Sequence, residues 1–184
     1  MFHLNQFTMD LRVQRTRTNI INAFLELRSK KALEKITIKE LAQLANINKA
    51  TFYTHYTDIY DLSEQVELEI ISSILCDVNH PEYLIENPKE GIKVLGNAMI
   101  ARNPILSVLY AGNRHSRLID QLEVLLKEMI YENFPEYKDN LRADIFLTIL
   151  IQGTFHAYEQ HKEKDPQEVL EIISSINENL IHSI

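Results

Sequence analysis

The chain has no Trp, one Cys, four Gly and five Pro in 184 residues. A single Cys excludes an intramolecular disulfide framework and any metal site built on several thiolates. So few Gly and Pro leave little turn chemistry for the tight connections of an antiparallel β-protein. No apolar run approaches the ~20 residues of a membrane span, and no signal peptide is apparent. A glycine-rich phosphate loop, a nucleophile elbow and a zinc-binding helix motif are all missing. His156 and His161 are five apart, the wrong spacing for a metal pair on one helical face. No catalysis, no cofactor and no metal are therefore expected. What remains is 45% hydrophobic and 24% charged. That composition excludes global disorder. A chain this long buries roughly 70% of its unfolded surface and needs no staples. A soluble, cytoplasmic protein is expected.

The net charge of −7 is unevenly spread. Residues 1–57 carry nine basic and four acidic side chains, a net of +5, and residues 58–184 carry −12. Taken whole, an acidic chain disfavours nucleic acid. Taken by halves, the asymmetry is a hint of nucleic-acid contact at the N-terminal end. On charge alone, chance variation among helix surfaces explains the split equally well.

The apolar periodicity is helical throughout. Val13, Ile20, Phe24 and Leu27 form one stripe and predict a helix over about 11–31. Thr37 is a good N-cap for a short second helix ending near Ala45, with Glu40 as a capping-box partner. A third short helix is expected over about 48–56. Asp58 caps a long fourth helix marked by Leu62, Val66, Ile70, Ile74 and Val78. Residues 79–88, with two prolines, read as a loop. Helices then follow at about 89–102, 104–110, 116–133, 141–162 and 166–182, with a loop at 134–140. Cys76 reads as a packing residue on an apolar face.

The short helices around residue 46 carry the functional signal. Leu41, Leu44, Ile47, Phe52 and Tyr56 are placed to share a small core with Ile20 and Phe24. Asn46 sits where a left-handed residue is often needed, and Asn follows Gly as the usual choice there. Asn48 is placed to cap the next helix. Two short helices meeting at a tight corner are the layout of a helix-turn-helix, whose second helix enters the DNA major groove. The outward face of that helix is Lys49, Ala50, Thr51, Tyr53, Thr54 and His55. It holds one cation, three hydroxyls and an imidazole, and no carboxylate that phosphate would repel. A plain helical hairpin with a polar face is the alternative.

The run Ile38-x-x-Leu41-Ala42-x-x-Ala45-Asn46-Ile47-Asn48-x-Ala50-Thr51-Phe52-Tyr53-x-His55-Tyr56 resembles the DNA-binding segment of TetR-type (TetR/AcrR) bacterial transcriptional regulators. With Asp58, Tyr60, Asp61 and Leu62 following, it is most similar to the small Firmicutes-type members. The resemblance covers about residues 15–62, roughly a quarter of the chain. It implies an all-α fold of about nine helices. A three-helix helix-turn-helix domain at 1–57 would be joined by a long helix to a dimerisation and effector-binding domain at 58–184. It also implies a nucleoid-associated homodimer bound to a palindromic operator on double-stranded DNA. Lys49, Ala50 and Thr51 would face bases, with Lys39 near a base edge or phosphate. Tyr53, His55 and Arg17 would touch phosphate. Thr37, Asn48 and Thr54 complete the set. Three positions depart from the usual pattern: Asn46 and Ala50 stand for glycines, and Ile59 stands for a phosphate-touching Lys. The last implies a salt dependence shallower by about one phosphate contact. Residues 1–8 read as a mobile extension, with a minor-groove arm as the alternative.

In the remainder, Ile145, Phe146, Leu147, Ile149, Leu150 and Ile151 surround the next-to-last helix on nearly every side. Such a helix must be covered on both faces. Ile149, Gly153, Ile173, Ile176 and Leu180 are the candidate dimer interface, and a monomeric bundle with a buried central helix is the alternative. Met99, Arg102, Tyr110, Phe155 and His156 are candidates to line an effector cavity for a small molecule, although such residues serve an ordinary core as readily. The expected function is a homodimeric transcriptional repressor released by an effector. The alternative is a helical interaction protein working through protein contacts.

Overall fold

Side-chain caps and apolar stripes set where the chain winds into helices. A computed structural model describes residues 11–78 and 80–181, and every regular element among them is helical. The order is α1 (Leu11–Arg28), α2 (Ile38–Leu44), α3 (Lys49–Tyr53), α4 (Ile59–Cys76), α5 (Tyr83–Glu86), α6 (Pro88–Leu109), α7 (His115–Asn133), α8 (Leu141–His161) and α9 (Pro166–Ile181). Short 3₁₀ turns lie at Leu33–Lys35, Gly112–Arg114 and Pro135–Tyr137. No helix of the described residues is long and apolar enough to cross a membrane.

Asp58 starts α4 by accepting the backbone N–H groups of Tyr60 (2.8 Å) and Asp61 (2.9 Å). In return the Asp61 carboxylate accepts the Thr57 N–H at 2.7 Å, and this bond above all holds its pKa below the ordinary carboxylate range. Such reciprocal caps satisfy donors that a bare helix end leaves unpaired. Asn140 caps α8 in the same manner, accepting from Arg142 and Ala143.

One continuous core runs through the molecule. Its N-terminal part packs Ile20 and Phe24 of α1 against Leu41, Phe52 and Leu62, all fully buried. Each such side chain contributes about 1.5–3 kcal/mol of burial free energy. The core continues along α4 through Val66, Ile71 and Ile74 to Leu109 at the end of α6 and Leu118 and Ile119 of α7. The backbones of α5 and α6 touch at Gly91, where a Cβ would lie 2.8 Å from the Tyr83 carbonyl. Only glycine fits there.

Several expectations are corrected. The region 89–110 is one helix with Pro104 inside it, not two. A proline there removes one hydrogen bond, but Ala98, Leu106 and Leu109 on either side are buried in the same packing, which holds both halves in line. The loop expected at 79–88 contains α5, and Pro88 opens α6; Asn79 lies outside the described residues. Leu44 is exposed rather than part of the small core, because α2 turns it away from α1. Val13 is likewise exposed. Glu40 does not close a capping box: its carboxylate pairs with Lys31, while Thr37 accepts the Glu40 N–H. Cys76 is exposed, not a packing residue. Residues 1–8 and His182 lie outside the described residues.

A buried charge cluster joins α4 to the segments around it. Glu67 is fully buried. Its carboxylate accepts from Ser63 Oγ (2.6 Å), Arg114 Nη2 (2.7 Å) and Arg117 Nε (2.9 Å). Beside it, the buried Arg28 at the end of α1 donates to the carbonyls of Leu109 (3.0 Å) and Lys31 (3.1 Å). Burial first, then the neighbouring Arg114, lowers the Arg28 pKa. Removing one partner of a buried ion pair strands the other charge in a poor solvent. Glu67→Ala is therefore expected to lose about 3–5 kcal/mol in urea unfolding. A loss below about 1 kcal/mol would show that water replaces the carboxylate.

Candidate functional site

The α2–α3 corner is a helix-turn-helix built by backbone geometry. Asn46 has φ of 54°, in the left-handed region. The Ile47 N–H reaches back to the Ala42 carbonyl (2.9 Å), and the Asn46 N–H to that of Gln43 (3.2 Å). This pair of bonds is a Schellman closure, which needs a left-handed residue at the position Asn46 occupies. Asn48 then caps α3: its Oδ1 accepts from the Thr51 N–H (2.7 Å) and Thr51 Oγ1 (3.0 Å). Phe52 points inward and is fully buried, with Tyr53 edge-on to it at a centroid distance of 5.5 Å.

That inward anchor fixes what faces out. Lys39, Asn48, Lys49, Ala50, Tyr53 and Thr54 are exposed, as is Thr37 at the start of α2; Thr51 and His55 are half-buried. The structure thus gathers Thr37, Lys39 and the outward residues of α3 on neighbouring surfaces of one corner. Two of the three hydroxyls are already donating. Thr51 Oγ1 donates to Asn48, and Thr54 Oγ1 donates to the Thr51 carbonyl at 2.7 Å. Their oxygens and the Tyr53 hydroxyl are left for outside partners. Arg17 is placed differently: its guanidinium pairs with Glu69 of α4. Ile59 is buried under the start of α4, so it serves the core and offers nothing to the surface.

Further along the chain, a cavity of about 340 Å³ opens between α5, α6, α7, α8 and α9. This lies within the volume range of small-molecule sites. Met99, Tyr110 and Phe155 line it. Arg102 and His156 do not. Arg102 bridges to α4, donating to Ser73 Oγ (3.0 Å) and pairing with Asp77 (2.8 Å), and His156 faces solvent. Sequence periodicity missed the α7 wall, Leu118, Leu122, Leu126 and Ile130. The four-residue step was visible, but a cavity wall and a core stripe have the same spacing. The Glu67 cluster was missed too, because its arginines lie some fifty residues away.

α8 and α9 present apolar side chains outward. Ile149 is 63% exposed, Ile176 55% and Leu180 45%. With Gly153, whose Cβ position is open, they border a shallow groove that Ile173, itself buried, also lines.

No family model matches the chain. It is similar to the uncharacterized HTH-type transcriptional regulator YxbF of Bacillus subtilis (strain 168), 30% identical over 106 residues. The match covers 55% of this chain and 28% of that protein. The chain therefore spans less than a third of the length of the relative it matches.

The left-handed turn makes the corner testable. Asn46→Gly is expected to stay within about 1 kcal/mol of the parent in urea unfolding, whereas Asn46→Val costs more than about 1 kcal/mol. Equal stabilities would mean that the corner does not depend on its left-handed residue.

Proposed function

We propose that the chain is a DNA-binding transcriptional regulator that reads double-stranded DNA with α3. The observation that carries this reading is the corner itself: a Schellman-closed helix pair whose second helix is anchored by Phe52 and presents a carboxylate-free face. The net positive charge of residues 1–57 and the similarity to a protein named as an HTH-type transcriptional regulator support it. Lys49, Ala50 and Thr51 would lie against base edges. Tyr53, His55, Thr54 and Thr37 would hold phosphates, with Lys39 beside them and Asn48 fixing the helix start. Arg17 would join them only by exchanging Glu69 for phosphate. In this reading residues 1–57 are the DNA-binding domain and residues 58–184 the dimerisation and effector domain, as in TetR-type repressors.

A second copy is the natural cover for the exposed apolar face of α8 and α9. Ile149, Gly153, Ile173, Ile176 and Leu180 would meet their symmetry mates in a four-helix contact. Twofold symmetry would set two α3 helices about one DNA turn apart on a palindromic operator. Occupation of the cavity would favour one head separation over another and release the operator, making the protein a repressor.

Selection from random duplexes followed by a salt titration tests this. Tyr53→Ala should weaken all duplexes alike, whereas Lys49→Ala should relax sequence preference. Failure to enrich any palindrome overturns the regulator reading. In light scattering, Ile149→Glu combined with Ile176→Glu should halve the mass. An unchanged dimer would place the interface elsewhere.

A further inference from the structure

We infer that the cavity between α5 and α9 takes an uncharged, hydrocarbon-rich molecule, an inference that rests on the effector reading above. Its volume of about 340 Å³ lies within the range of small-molecule sites. The walls are apolar on every side: Leu95 and Met99 of α6, Leu122 of α7, Leu147 and Ile151 of α8 and Leu170 of α9. The polar groups that reach the wall are largely committed within the protein. The Tyr110 hydroxyl donates to Gln121 Oε1 (2.7 Å), Ser107 Oγ donates to the Pro104 carbonyl (3.0 Å), and Thr154 Oγ1 accepts from Asn177 (2.9 Å).

The charge count decides the ligand class. Among the described lining residues, Glu159 and Lys162 are the only carboxylate and ammonium, and they pair with each other at 2.8 Å. Glu67, Arg114 and Arg117 act electrostatically on Tyr110, but they are bonded to one another. A carboxylate or an ammonium entering this space loses its water and meets no spare counter-charge. A neutral chain loses nothing comparable and gains contact along the whole wall. Asn103 and Tyr158 leave room for one hydroxyl or carbonyl on such a ligand.

The test uses the full chain and the neutral fluorophore N-phenyl-1-naphthylamine, excited at a wavelength longer than tyrosine or tryptophan absorbs. Decan-1-ol, decanoate and decylammonium then compete for it. Decanol is expected to displace the probe at a concentration at least about tenfold below either ion, in line with the penalty for burying an unpaired charge. Leu122→Trp and Met99→Trp, each checked by its melting curve, should weaken probe binding by about tenfold or more by filling the space. Glu159→Gln, which frees Lys162, should improve decanoate several-fold. Absence of probe binding, equal displacement by an ion, probe binding untouched by both Trp variants, or no gain for decanoate in Glu159→Gln each overturns the assignment. Duplex binding by the ligand-free protein is scored separately. DNA binding without decanol binding sinks only the cavity assignment, and the reverse result sinks only the regulator reading.

Discussion

The buried carboxylate of Glu67 is the point on which the rest of the structure turns. α4 is shared: its first turns complete the small core with α1, α2 and α3, and its later turns pack against α6 and α7. A fully buried charge is costly unless every oxygen is used. Ser63, Arg114 and Arg117 use them, which pins the 3₁₀ turn after α6 and the start of α7 onto α4. Arg28 adds a second tie, from the end of α1 to the last carbonyl of α6. The helix-turn-helix corner is thereby held to the larger helical body by directed bonds as well as by apolar contact.

Those ties run close to the cavity. Leu109, whose carbonyl Arg28 grips, immediately precedes Tyr110, whose ring lines the cavity wall. Pro104 weakens the hydrogen-bond ladder of α6 a turn and a half earlier. Under the proposed function, a change in what fills the cavity would bear on the segment that contacts α1. This supplies a physical route for the proposed coupling between an occupied body and the DNA-reading corner, through discrete bonds rather than general flexibility.

The surfaces divide by chemistry. The corner is polar and basic, with one pair of lysines, Lys39 and Lys49, at its tip. A second surface, the face of α8 and α9, is apolar. A net −7 for the whole chain obscures this, since the acidic surplus lies entirely beyond residue 57. Under the proposed function the acidic body is repelled by phosphate, so charge orients the molecule on a duplex more than it determines whether a duplex is bound.

Much of the fold was legible because its signals are local. Thr37, Asn46, Asn48 and Asp58 each act within four residues, so caps and the corner could be read from order alone. The all-helical class followed from apolar spacing and the scarcity of turn residues. Other features depend on partners distant in the chain. Whether Pro104 breaks a helix, whether Leu44 is buried, and that Arg17 faces Glu69 were each decided by packing. So was the separation of Met99, Tyr110 and Phe155, which meet at a cavity, from Arg102 and His156, which do not. By itself the sequence determined most of the helices, the caps at Thr37, Asn48 and Asp58 and the left-handed corner, because those rest on neighbours along the chain. Only the tertiary structure decided which charges are buried, which apolar stripes enclose empty space and which are left facing water, because these depend on what lies across from each residue.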